Sequence, residues 1–102
     1  MKTDDRFYKS KVWKHKRNVI LRRDGYADQI AKRYGKKREA TIVHHIFPFK
    51  DYPEYAMKDW NLISVSLASH NRLHNPDGTL SREGEELLQR TRRKAQSSGW
   101  IP

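Results

Sequence analysis

The chain has 102 residues, with 22 Lys and Arg against 12 Asp and Glu, five His and no Cys, for a formal net charge of +10. That length fits one small domain. The lack of Cys excludes disulfides, thiolate metal sites and cysteine nucleophiles. No apolar run approaches the roughly 20 residues that span a bilayer, and the opening MKTDDRFYKSK has no apolar signal segment, so a cytoplasmic protein without a membrane partner is expected.

Residues 7–23 are predicted as one basic helix that Ser10 can cap, with Val12, Trp13, Ile20 and Leu21 as a rough apolar stripe ended by Asp24-Gly25. Residues 26–34 suit a short helix stopped by Gly35. The β-branched run at 40–47 (ATIVHHIF) reads as a strand, limited by Pro48, and 61–65 (NLISV) as a second that pairs with it antiparallel. Residues 67–74 read as a helix carrying His70 and His74, and Asn75-Pro76-Asp77-Gly78 as a turn. Ser81 can cap a last helix over about 82–96, which leaves SSGWIP as a loose tail unless Trp100 docks.

Positive charge falls in three blocks: seven bases and no acid over residues 9–23, five bases over 32–38 and four over 90–94. Such density favours an anionic partner, nucleic acid foremost, bound with a steep salt dependence from counterion release. The competing reading is a solvated basic surface. Lys14, Arg17, Arg22, Arg23, Lys36, Lys37 and Arg38 are the candidate backbone contacts, with Arg72 beside the histidines.

His70 and His74 stand four residues apart, which on a helix places both imidazoles on one face, where they can chelate one metal ion. A third ligand must come from elsewhere. His44 and His45 lie in the first strand, and strand neighbours point to opposite faces, so one can ligate while the other meets substrate. A metalloprotease is excluded locally, because its motif needs Glu after the first His and Asn71 stands there.

The segments ATIVHHIFP, WNLISV and SHNRLH, in this order and spacing, resemble the HNH endonucleases. The upstream FYKSKVWKHKRNVILRRDGYADQ resembles the N-terminal region of small phage-encoded members, so the likeness covers about residues 7–75. It implies an α+β fold: a ββα-metal (His-Me finger) core at about 40–75 with flanking N- and C-terminal helices, in a single domain over 1–102. It implies a metal-dependent endonuclease acting on double-stranded DNA. His45 would be the general base, Asn61 would orient it through backbone hydrogen bonds, and His44, His70 and His74 would hold one divalent ion (Zn, Ni, Mg or Mn). Terminase or portal proteins are implied partners, and a monomer is expected. A nuclease-like module that binds nucleic acid without cutting is the alternative.

Many phage relatives add two Cys-x-x-Cys pairs that bind a structural zinc. Asp28, Ala31, Ser66 and Ser69 stand at the corresponding positions, so no zinc ribbon is expected. Aromatic packing by Trp13, Tyr26, Tyr34 and Trp60 is expected to replace it.

Overall fold

The computed structural model describes residues 3–102. The basic N-terminal stretch forms two helices, α1 (Thr3–Lys9) and α2 (Lys11–Arg23), where one was predicted. The break is Ser10, whose backbone is extended (φ −69°, ψ 149°) and whose Oγ accepts from the Trp13 amide at 3.1 Å while donating to the Phe7 carbonyl at 2.6 Å. A serine hydroxyl satisfies a first-turn amide that a continuous helix would bond internally, so the chain turns there. α2 ends at Asp24, and Arg23 then ties it inward by donating to the carbonyls of Asp59 (2.8 Å) and Leu62 (2.7 Å).

A short helix α3 (Gln29–Arg33) precedes a two-stranded antiparallel sheet of β1 (Ile42–His45) and β2 (Leu62–Val65). Both strands are shorter than predicted. β1 stops at His45 because the Ile46 and Phe47 amides bond to Asn61, and Asp59–Asn61 is a 3₁₀ turn leading into β2. The register pairs His44 with Ile63 and His45 with Leu62. Alternation gives the sheet two faces. Val43 and Leu62 pack with Trp13, Ile20 and Leu21 of α2, whereas Ile42, Ile63 and Val65 join the larger core. That core holds Ile30, Phe47, Leu73 of α4 (Leu67–Leu73), and Leu87, Leu88 and Ala95 of α5 (Arg82–Ser97).

The four positions corresponding to the ribbon cysteines do meet in space, but they are joined by hydrogen bonds and not by aromatic packing. Asp28 is fully buried. Its Oδ1 accepts from the Ile30 and Ala31 amides at 2.9 and 3.0 Å, capping α3. Its Oδ2 accepts from the Ser66 amide (3.0 Å) and from the Ser66 and Ser69 hydroxyls (2.6 Å each). Burial alone would raise this carboxyl's pKa; the hydroxyl and amide donors outweigh it and hold the group at about 2. The expected aromatic substitutes lie elsewhere. Tyr26 and Tyr34 are 52% and 67% exposed, because they sit on charged turns with no apolar layer above them, Trp13 belongs to the α2 core, and Trp60 packs on Phe47 and Tyr55.

α5 starts at Ser81, whose Oγ accepts from the Gly84 amide and donates to the Arg72 carbonyl. It approaches the end of α4 so closely that a Cβ on Gly84 would lie 2.3 Å from the Leu73 carbonyl oxygen. The tail is docked, not loose: Ile101 is buried in the larger core and Trp100 stacks on Trp60 with centroids 6.2 Å apart. Burial of Ile101 holds it there. Among the described residues, no helix is long and apolar enough to cross a membrane.

Candidate active site

His44 and His45 leave β1 on opposite faces and enter one cleft of about 570 Å³, which His70, His74, Tyr8, Trp13, Arg17 and Lys50 also line. On one side, the His44, His70 and His74 rings pack edge to face, with centroids 4.6–5.5 Å apart. One nitrogen from each lies within 4.8 Å of the others. His44 Nε2 and His74 Nδ1 are buried without a hydrogen-bond partner among the described residues. A buried imidazole nitrogen with nothing to bond is costly unless something fills the place.

The donor set and the two orphaned nitrogens fit a divalent ion. Three imidazole nitrogens are an ordinary donor set for such an ion. Burial pushes the His44 pKa down to about 3, with the His70, His74 and His45 charges adding to the effect. Burial lowers His70 as well, assisted by His74, and burial lowers His74. All three rings are therefore neutral near pH 7, the form that ligates.

His74 does not reach this cluster from a helix. α4 ends at Leu73, and His74 is extended (φ −125°, ψ 147°), bridging to Leu80. The Leu73 carbonyl bonds to the Ser81 amide and the Asn75 amide to the Thr79 carbonyl, so the 75–80 turn takes the backbone groups that another helical turn would use. Pro76 also disfavours helix in the residue before it.

On the other side, His45 lies flat on Trp13 (centroids 4.8 Å, 25° between planes), with Phe7, Tyr8 and Phe49 around it. His45 Nε2 lies 3.0 Å from the Ala56 carbonyl oxygen. A carbonyl only accepts, so Nε2 carries the proton and the neutral ring's lone pair is on Nδ1. Nδ1 faces the Tyr8 hydroxyl at 3.3 Å, which donates to it. Burial lowers the His45 pKa, and the Ala56 bond partly opposes this.

Asn61 is fully buried behind this ring. Its Oδ1 accepts from the Phe47 amide at 2.7 Å, and its Nδ2 donates to the Phe47 and Tyr55 carbonyls at 3.2 and 3.1 Å. It thereby clasps the segment after β1 to the segment whose next carbonyl, that of Ala56, holds His45.

The basic candidates are dispersed. Arg17 lines the histidine cleft. Lys36, Lys37 and Arg38 line a separate hollow, Lys14 and Arg22 are exposed on α2, Arg23 is spent on the internal ties above, and Arg72 pairs with Glu83 at 3.2 Å. Sequence reasoning missed Lys50, the Ala56 carbonyl and the Tyr8 contact. An aromatic at 7, 8, 13 and 49 was the available signal, but nothing local says that these rings share one histidine.

Two strands, a short helix and converging histidines define a ββα-metal fold. The chain is similar to the HNH endonuclease of the deep-sea thermophilic bacteriophage GVE2, whose crystal structure contains a manganese ion. The TM-score is 0.66 at 33% identity, over 68% of this chain and 75% of that one. No protein-family model matches the sequence, and no curated protein does. The chain belongs to the HNH endonuclease family.

Proposed function

We propose that the protein is a metal-dependent endonuclease that hydrolyses phosphodiester bonds in double-stranded DNA. The observation that carries this reading is the pairing, in one cleft, of three convergent imidazoles with a fourth whose Nε2 faces a carbonyl oxygen.

In this reading His45 Nδ1 accepts the proton of the water that attacks phosphorus. The Ala56 carbonyl keeps the ring oriented and stabilises the imidazolium that forms. Asn61 positions that carbonyl through its neighbour Tyr55. The Tyr8 hydroxyl occupies the hydrogen-bonding position on Nδ1, so it must give way to the water as DNA enters. Arg17 and Lys50 line the cleft and meet phosphates flanking the scissile one. His44, His70 and His74 would hold the divalent ion, which would supply positive charge to offset the negative charge that grows on the reacting phosphate. Imidazole donors suit Zn or Ni, whereas Mg and Mn draw further support from substrate phosphate. The likeness to the GVE2 enzyme favours manganese and a phage setting.

The test is plasmid cleavage with Mg²⁺, Mn²⁺, Ni²⁺ or Zn²⁺, against chelator and His45→Ala. Nicked or linear product that needs both metal and His45 supports the reading. Binding without cleavage under every metal identifies a nucleic-acid-binding module instead.

A further inference from the structure

A second cleft, of about 870 Å³, lies between the end of α2, α3 and α5, and shares no lining residue with the histidine cleft. Two acids line it, and both are neutralised: Asp24 by Arg23 at 2.9 Å and Asp59 by Lys16 at 2.5 Å. Four exposed cations remain on its walls, Lys32 and Arg33 from α3 and Arg90 and Lys94 from α5. None of these has an acid within pairing distance among the described residues. Arg90 and Lys94 are one helical turn apart and so share a face.

The same cleft carries Trp60 and Trp100. The two indoles stack at 19° between planes, and Trp100 is still 49% exposed, which leaves aromatic surface open beside unpaired cations. Through Lys32 the cleft continues into the hollow lined by Tyr26, Lys36, Lys37 and Arg38, where Tyr26 is also half exposed.

A surface that grips duplex DNA by charge needs cations alone, because the bases are stacked away from it. Cations beside the open faces of Trp100 and Tyr26 suit an unpaired strand, whose phosphates meet the Lys and Arg side chains and whose bases stack on the rings. We propose that this cleft binds single-stranded nucleic acid, separately from the histidine cleft. The proposal does not depend on cleavage chemistry.

The test uses the whole chain in chelator, so that no cutting occurs, with a fluorescently labelled 20-nucleotide oligo-dT and a 20-base-pair duplex as probes. Oligo-dT should quench tryptophan emission and bind with a salt-dependent affinity. Arg90→Gln with Lys94→Gln should weaken oligo-dT binding about tenfold or more and lower the salt slope by about 1.4, at roughly 0.7 for each phosphate no longer neutralised. Trp100→Leu should cost about tenfold, and Trp100→Phe much less, because stacking needs only a π face. Duplex affinity should stay within about twofold for all of these variants, and circular dichroism confirms that each is folded. Unchanged oligo-dT binding, or equal weakening toward oligo-dT and duplex, would overturn the proposal. Plasmid cleavage retained in His45→Ala would overturn the proposed nuclease mechanism, whereas only the oligo-dT results overturn this proposal.

Discussion

The Ala56 carbonyl oxygen lies 3.0 Å from His45 Nε2, and this contact decides which nitrogen of the ring can act as a base. It leaves the lone pair on Nδ1, where the Tyr8 hydroxyl donates at 3.3 Å. His45→Ala should therefore abolish metal-dependent cleavage while leaving metal affinity intact. Tyr8→Phe should retain cleavage or raise kcat/KM by about 2- to 10-fold, because the hydroxyl competes with water through one ordinary hydrogen bond of about 0.5–1.5 kcal/mol. Steady-state cleavage of a labelled duplex reads both, and a large loss in Tyr8→Phe would show that the hydroxyl is needed.

Metal binding should rest on all three rings. His44→Ala, His70→Ala and His74→Ala should each weaken Mn²⁺ or Ni²⁺ binding at least tenfold in calorimetric titration, even though His74 lies outside α4. The wild-type chain should gain thermal stability with metal, about 2.7 kcal/mol at a hundredfold excess over Kd, and lose it in chelator. A metal-insensitive Tm would contradict the site.

Asn61→Ala leaves the Phe47 amide and the Tyr55 carbonyl without their buried partner. Each buried group stripped of its bond costs about 1–3 kcal/mol, so denaturant unfolding should register a loss in that range or above. The loop holding Ala56 also loosens, and kcat should fall more than KM rises. An activity loss in Asn61→Ala without any stability loss would instead point to direct contact with substrate.

Asp28 makes stability depend on acid. Its carboxyl sits at about 2 in the fold against 3.8 as the ordinary value, so its stabilisation is fully present above the unfolded value and disappears as pH falls toward 2. The difference corresponds to about 2 kcal/mol. Asp28→Asn, which faces the same hydroxyl and amide donors with an NH₂ group, should cost about 3 kcal/mol and flatten the acid limb of a pH–Tm curve.

Gly84→Ala places a methyl against the Leu73 carbonyl oxygen, a backbone atom that cannot rotate away. The helix α5 must shift, at a cost of about 1–3 kcal/mol in urea unfolding. Because Leu73 directly precedes His74, metal affinity should fall as well.

Much of the chemistry was legible in the linear order. Adjacent histidines in a β-branched run must face opposite ways, because a strand alternates, and Ser81 before an amphipathic stretch marks a helix start. Ser10 was legible as a cap, but not the helix break that the cap imposes, since the residues before it are equally good helix formers. The two expectations that failed most plainly, aromatics in place of the ribbon and His74 on a helix face, both depended on distant partners. Asp28 meets Ser66 and Ser69 across 38 and 41 residues, and Leu73 gives its carbonyl to Ser81.

The amino-acid order alone determined the four histidines of the candidate site, the strand alternation that separates His44 from His45, and the basic surplus. Only the tertiary structure decided, among the described residues, which imidazole nitrogens are left without a partner, which one carries a proton and which cations stand beside a tryptophan without an acid. Caps, turns and alternation act within a few residues, whereas desolvation and pairing depend on whatever the rest of the chain brings alongside.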